Sequence, residues 1–250
     1  MDQSNLTYRI FPLGDSVITI DFGNNINESL NDEVITRFNE LQISPVPGMI
    51  EAVPAYSSLT IYYDAVKLRN KVSSGQTVYE WMQQMLTERL QIPPNESEKN
   101  NRLFKIPVCY NLNFAPDIKT LADSKNLSVE EVIQLHTSGT YKVYMLGFLP
   151  GFAYMGEVNE KMIIPRKPQP VNVEQGSVGI AGKQTGIYPL ASPGGWQIVG
   201  RTPLKLFDAA KEEPTLFKIG DKIHFFPITE NDFYEIQNSF LLQDQYWNAE

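Results

Sequence analysis

Residues 145–208, MLGFLPGFAYMGEVNEKMIIPRKPQPVNVEQGSVGIAGKQTGIYPLASPGGWQIVGRTPLKLFD, decide how this chain is read. The stretch holds ten of the 16 glycines and seven of the 17 prolines. Helices do not tolerate that density, because glycine costs backbone entropy and proline removes a hydrogen-bond donor. Disorder is excluded too, since Phe148, Phe152, Tyr154, Ile163, Ile164, Val178, Ile180, Ile187, Tyr188, Leu190, Trp196, Ile198 and Val199 recur between the breakers. The reading is short strands and tight turns in which backbone approaches something closely. Glycines that expose main-chain N–H and C=O groups are a common way to build such a site.

The flanks supply the rest of the architecture. Upstream, residues 6–12 and 16–22 alternate β-branched and aromatic positions and read as two strands joined at Gly14–Asp15. Leu30, Val34, Phe38 and Leu41 recur at helical spacing after a cap at Asn27 or Ser29. MIEAVPAY (49–56) and SSLTIYYD (57–64) are two further strands, and Val78, Trp81, Met82, Met85 and Leu86 share one face of a helix over 77–90. The economical packing is an antiparallel sheet with two helices on one face. PPNESEKNN (93–101) is polar, opens with a double proline and lacks an apolar period, which makes it a linker. The expected division is therefore 1–92, a linker at 93–101, and 102–250.

In the second part, LFKIPVCY (103–110) is a strand and 116–125 a short helix. Ser128 with Glu131 forms a capping box for the helix VEEVIQLHT. Strands are expected around 216–219 and 222–227, flanking the turn at Gly220–Asp221. A terminal helix over 228–243 is expected to bury Phe233, Ile236 and Phe240.

Composition narrows the function classes. The chain has 250 residues, 21 basic against 29 acidic, a net charge of −8. Nucleic-acid binders concentrate positive charge to displace phosphate counterions, so no nucleic-acid partner is expected. No apolar run approaches the about 20 residues that span a bilayer. The N-terminus lacks the basic and apolar regions of a signal peptide, so a cytoplasmic protein with no membrane partner is expected. Cys109 is the only cysteine, which rules out a disulfide framework and a thiolate metal cluster. The two histidines, His136 and His224, do not sit at zinc spacing, and no metal site is read here. No G-x-S-x-G elbow surrounds any serine. Gly176–Thr185 imitates a P-loop but carries Ser177 and Gln184 where the Walker pattern needs Gly and Ser or Thr.

What remains is a polar set within the glycine-rich region: Ser177, Lys183, Gln184, Thr185, Tyr188 and Ser192, beside turns that free backbone amides. Arg166 and Arg201 are the candidates for a carboxylate or phosphate, because a guanidinium offers two parallel donors. The alternative for Arg166 is an exposed strand-end charge, and Arg201 reads equally as a residue bonding nearby carbonyls. Phe148, Phe152, Tyr154 and Trp196 can stack on a flat ligand or belong to the core. Gly194 and Gly195 permit a close backbone approach in either case. His136 ends an apolar helical face, where a histidine serves as a core or capping residue and the helix dipole favours its charged form.

GFLPGFAYMG, the pair Pro165–Arg166, GSVGIAGKQTGIYPLASPGGW and GRTPLKLFD together resemble the family that contains the B subunit of 5-oxoprolinase, the sporulation kinase inhibitor KipI and proteins labelled allophanate hydrolase subunit 1. The resemblance extends over nearly the whole chain, with VPAYSSLTIYYD and IPVCY recognisable in the first half. It implies an α+β fold: an N-terminal ferredoxin-like domain followed by a cyclophilin-like β-barrel. It also implies a subunit of a 5-oxoprolinase that couples ATP hydrolysis, with Mg2+, to opening the lactam of 5-oxoproline to glutamate. The implied partners are a protein like the C subunit of 5-oxoprolinase (allophanate hydrolase subunit 2-like) and a third subunit. Two other readings stay open: a KipI-like inhibitor whose partner is a sensor histidine kinase, and a member of a urea carboxylase or allophanate hydrolase system. The LH pair before GFLPGF matches the family pattern and makes His136, with Arg201, a catalytic candidate. Arg166, Ser177, Lys183, Gln184, Thr185, Tyr188, Ser192, Gly194 and Gly195 become substrate- or nucleotide-binding candidates.

Overall fold

The alternating segments of the first half pair into one antiparallel sheet. A computed structural model describes residues 7–23, 27–93 and 102–247, and the chain separates into two units, residues 1–99 and 100–250. The first unit runs β1 (Arg9–Gly14), β2 (Val17–Asp21), α1 (Glu28–Ile43), β3 (Met49–Pro54), β4 (Ser58–Tyr63), α2 (Ala65–Leu68) and α3 (Val78–Gln91). Its sheet order is β1-β2-β4-β3, with every neighbour antiparallel. β2, α1 and β3 form a split βαβ unit with β4 between the strands, and β1 takes the outer place of a ferredoxin-like closing strand.

Local chemistry sets the helix starts. The Asn27 side chain accepts from the amides of Ser29 and Leu30, and Thr77 forms a capping box with Glu80. Ile18, Ile20, Leu59, Ile61 and Tyr63 then pack against Val34 and Leu41 of α1 and Met82 and Leu86 of α3. Residues 94–101 of the expected linker lie outside the described residues.

The second unit is a closed barrel with helices outside it. It runs β5 (Leu103–Cys109), α4 (Ile118–Lys125), α5 (Val129–Ser138), β6 (Thr140–Leu146), β7 (Ala153–Gly156), β8 (Val171–Val173), β9 (Ser177–Ala181) and β10 (Gln184–Ile187). There follow β11 (Ser192–Gly194), β12 (Gln197–Arg201), β13 (Lys222–Ile228), α6 (Glu230–Asn238) and α7 (Phe240–Trp247). The seven barrel strands are ordered β10-β7-β6-β13-β5-β12-β9, and β9 closes on β10 as a hairpin. β13 and β5 are parallel, while β8 and β11 form a separate ribbon. Ile106, Val108, Val143, Met155, Val178, Ile180, Ile187, Val199, Ile223 and Phe225 fill the interior. Closure removes the unpaired edges that an open sheet exposes.

Two expectations fail for local reasons. No strand forms at 216–219. Leu216 and Phe217 are buried in the barrel core, and local bonding runs from Leu216 N–H to Leu206 O and from Asp208 N–H to Pro214 O. A closed barrel leaves no edge for a further strand, so these apolar residues plug it without joining a ladder. The expected terminal helix is two helices broken at Ser239, whose hydroxyl accepts from the Leu242 amide at 3.3 Å and caps α7. Phe233 is buried as expected, whereas Phe240 beyond the break is 76% exposed.

Candidate functional site

An aromatic cleft opens on the surface of the barrel unit. Its volume is about 460 Å3, and its walls are Phe148, Phe152, Tyr154, Arg166, Lys167, Tyr188, Gly194, Gly195 and Trp196 with Pro168, Pro170 and Pro193. Phe152 is the hub: its ring centroid lies 4.7 Å from Tyr154, 5.0 Å from Tyr188, 5.5 Å from Trp196 and 5.9 Å from Phe148. These tilted and edge-on pairs are the arrangements that the ring quadrupole favours. The aromatics read as stacking surface or core are therefore both, with buried Phe152, Tyr188 and Trp196 behind an exposed Phe148.

Phe148 itself is 66% exposed and has φ +68°. A side chain in left-handed backbone costs on the order of 1–3 kcal/mol. Burial raises the Tyr154 and Tyr188 phenols above their ordinary value, with the Arg166 charge opposing it at both and the Trp196 amide doing so at Tyr188. Both stay protonated at neutral pH.

The segment carrying Arg166 is clamped on both sides. Gln197 Nε2 donates to Pro165 O at 3.2 Å, and the Lys167 amide donates to Gly195 O at 2.7 Å. The Lys167 ammonium pairs with Asp117 Oδ2 at 2.6 Å, and that carboxylate also accepts from the Ile198 amide at 2.7 Å. Asp117 is thus tied to β12, which is why α4 begins at Ile118 and not at Pro116. Arg166 lies over the Trp196 ring at 6.0 Å. Among the described residues no carboxylate pairs with it. The cleft so unites Arg166, Tyr188, Gly194 and Gly195 with the aromatics Phe148, Phe152, Tyr154 and Trp196, all singled out from sequence. The Lys167–Asp117 pair was missed: its members are 50 positions apart and no local pattern joins them.

Gly194 serves the protein's own packing: a Cβ there would collide with the Tyr188 hydroxyl and lie 2.7 Å from its Cζ. A Cβ on Gly195 would meet the Lys167 carbonyl only at 3.6 Å, ordinary contact. The close approach inferred from sequence is made at Gly194, by Tyr188.

Other candidates lie elsewhere. His136 is fully buried inside the barrel unit. Its Nδ1 is 2.7 Å from the Tyr110 hydroxyl and its Nε2 3.1 Å from Thr185 Oγ1. Thr185 donates its own proton to Gly179 O at 3.1 Å, so it accepts from His136, which carries the proton on Nε2. Tyr110 then donates to Nδ1. Phe225 stacks on the imidazole at 4.6 Å. Burial pushes the His136 pKa down to about 3. Desolvation overrides the helix dipole, and the expected charged form gives way to a neutral ring.

Arg201 lines a second cleft of about 290 Å3 with Gln175, Lys205, Gln237 and Gln243 among others. Its Nε donates to Gln175 O at 2.7 Å, its guanidinium lies over Phe233 at 5.8 Å, and its Nη2 is 3.9 Å from Glu174. Lys183 sits at the β9–β10 turn, 55% exposed in its side chain and 3.5 Å from Glu157. Gln184 begins β10 beside it. Gly176–Thr185 is thus turn and hairpin, which agrees with rejecting a P-loop. Ser177 is buried in β9, and the Ser192 hydroxyl is buried without a hydrogen-bond partner. His224 is a strand residue of β13, with Nδ1 3.1 Å from Gly139 O. Among the described residues no group of three or more His, Cys, Asp or Glu is placed to hold a metal ion. No helix among them is long and apolar enough to cross a membrane.

Comparison with known proteins accounts for both units together. The family described as carboxyltransferase domain, subdomain C and D, matches residues 8–217. The chain is 43% identical over 229 residues to the B subunit of 5-oxoprolinase from Bacillus subtilis (strain 168), covering 91% of this chain and 95% of that protein. It is 40% identical over 186 residues to the corresponding B subunit from Escherichia coli O157:H7, covering 74% and 81% respectively. The crystal structure of a conserved uncharacterized protein from Pyrococcus horikoshii aligns with a TM-score of 0.52 at 40% identity, covering 90% of this chain and 100% of that one. Because these matches run through the sheet unit, the barrel and the glycine-rich hairpins, the chain belongs to the carboxyltransferase subdomain C and D family, on the branch of the 5-oxoprolinase B subunits.

Proposed function

We infer that this chain is the B subunit of an ATP-dependent 5-oxoprolinase complex, which opens 5-oxoproline to glutamate. The observation that carries the reading is 43% identity maintained over 91% of the chain and 95% of the Bacillus subtilis protein. ATP supplies activation of the lactam oxygen, since an amide in a five-membered ring resists direct hydrolysis and a phosphorylated one is a good electrophile. Among the described residues no group of three or more His, Cys, Asp or Glu is placed to hold a metal ion. We place the missing ligands on a partner like the C subunit of 5-oxoprolinase, and a third subunit completes the assembly.

Within this chain the candidates divide by environment. Arg201 is held by its Nε bond to Gln175 O, has Glu174 3.9 Å from Nη2, and turns its guanidinium beside Lys205 in the smaller cleft, which suits holding a phosphate of the nucleotide. His136, Thr185 and Ser177 belong to the barrel interior, and we assign them to the fold instead of the chemistry. The test is ATP hydrolysis by the chain mixed with its two partner proteins, with and without 5-oxoproline. A rate that rises with 5-oxoproline and falls at least tenfold on Arg201→Ala is expected. A verified, folded complex that shows no stimulation overturns the reading.

A further inference from the structure

We propose that the aromatic cleft seats the 5-oxoproline ring, with Arg166 holding its carboxylate. This rests on the 5-oxoprolinase reading above and assigns the substrate, as opposed to the nucleotide, to this cleft.

Charge decides first. The cleft contains two cations, and one is already neutralised, because the Lys167 ammonium is 2.6 Å from Asp117. Arg166 alone is left to meet a ligand, and a single guanidinium matches a single carboxylate through two parallel N–H donors. A triphosphate carries several negative charges and calls for further cations or for carboxylates that hold a metal, and neither is among the residues lining this cleft.

The walls decide next. A purine is read by donors and acceptors around its edge, and a specific site supplies a few well-placed polar groups for that purpose. Here Pro168, Pro170 and Pro193 line the rim, and proline has no N–H to offer. What the walls do offer is ring surface from Tyr154 and Phe148, backed by the buried Trp196 and Phe152, suited to the two methylenes of a small saturated ring. The Arg166 guanidinium over the Trp196 ring sets the anion-binding group against the same aromatic wall, so a ring and a carboxylate on adjacent atoms engage both at once. Clamping of Pro165 and Lys167 on either side of Arg166 holds the backbone beneath it. The exposed ring of Phe148 lies at right angles to Phe152 and covers the same wall from outside.

The decisive measurement is steady-state kinetics of the assembled complex with Arg166→Gln and Arg166→Lys, varying 5-oxoproline and ATP separately. Arg166→Gln is expected to raise KM for 5-oxoproline at least tenfold and to leave KM for ATP within twofold, with Arg166→Lys in between. If the wild-type complex is active and Arg166→Gln leaves KM for 5-oxoproline unchanged, this inference fails while the 5-oxoprolinase reading stands. A rise in KM for ATP in its place gives the cleft to the nucleotide and also overturns it. Saturation-transfer NMR on the full chain alone, with 5-oxoproline and its neutral carboxamide as probes, judges the cleft apart from turnover. Transfer to the ring protons of the acid, at least tenfold weaker for the amide and lost in Arg166→Gln, supports the assignment. Equal transfer to acid and amide overturns it. A wild-type complex with no 5-oxoproline-dependent hydrolysis overturns the 5-oxoprolinase reading itself, and the named substrate with it.

Discussion

The inside of the barrel and the cleft on its surface use neighbouring residues to opposite ends. Thr185 and Tyr188 are three positions apart, yet Thr185 closes a sealed chain of donors and acceptors while Tyr188 walls an open cleft. In the interior every hydrogen of the Tyr110–His136–Thr185 set has an acceptor, and nothing is left for a ligand. At the cleft a guanidinium stands with no carboxylate paired to it among the described residues, and a phenyl ring stands in water on left-handed backbone. A satisfied buried network specifies a fold, because an unpaired polar group in a dry interior costs more than its bond returns. An unsatisfied exposed set retains its capacity to bind.

The largest effect comes from breaking the interior. His136→Ala removes a ring stacked on Phe225 and leaves the Tyr110 hydroxyl and Thr185 without their partner. Cavity formation together with the orphaned polar groups predicts a loss of about 3–5 kcal/mol. Chemical denaturation of the full chain, followed by near-UV circular dichroism, measures it. A loss below about 1 kcal/mol, no more than one ordinary hydrogen bond contributes, would show that the network is not the closed one described.

The same ring gives the interior a pH signature. The folded-state pKa of His136 is about 3 against an ordinary 6.5, so between these values the unfolded chain binds a proton that the folded chain refuses. Its contribution is therefore present above pH 6.5 and is lost as pH falls towards 3, at up to about 1.4 kcal/mol per pH unit. The neighbouring Tyr110 and Tyr141 phenols are pushed up by burial and remain neutral throughout. Stability profiles of the wild type and His136→Gln between about pH 7 and 4.5 are expected to converge on acidification. Parallel profiles would sink the buried-neutral assignment.

Gly194→Ala tests the boundary between the two regions. Its Cβ would drive into the Tyr188 ring, which lies against Phe152. Overpacking of this kind costs about 1–3 kcal/mol. Thermal unfolding reads the cost, and a change under about 0.5 kcal/mol, the range of an ordinary surface substitution, would mean that Tyr188 swings aside freely and that the cleft wall is soft.

What the sequence disclosed follows from how local each signal is. Asn27 and Ser128 start helices through bonds spanning two to three residues, so their caps were legible, while Thr77, read as the first helical residue, is the cap of α3. The glycine-rich stretch announced strands and turns by the same local logic. The break at Ser239 is equally local, a single capping serine inside the apolar spacing of Phe233, Ile236 and Phe240. Leu216–Ile219 had strand composition, and only barrel closure denies it a partner. The site was half legible. Arg166 and Gly195 announced themselves by residue type, whereas the Lys167–Asp117 pair and the union of Tyr110 with Thr185 through His136 depend on barrel closure. Arg166 and Arg201 looked equivalent on paper and line different clefts once folded.

Lys183 marks the smallest effect and the sharpest contrast with Arg166. Both are cations of the glycine-rich stretch, and both were candidates for an anionic ligand. Lys183 has an exposed side chain on a hairpin turn, with Glu157 at 3.5 Å, and exposed pairs contribute roughly 0–1 kcal/mol because water screens them and ordering two long side chains costs entropy. Lys183→Ala is therefore expected to shift stability by less than about 0.5 kcal/mol and to leave KM for 5-oxoproline unchanged in the assembled complex. Denaturation and steady-state kinetics on one preparation check both. A tenfold rise in KM for ATP alone would convert this turn from a solvated surface into the edge of a nucleotide site shared with the partner. The cleft and the turn would then divide substrate and nucleotide between them, which Arg166→Gln and Lys183→Ala in combination would reveal as independent, multiplicative defects.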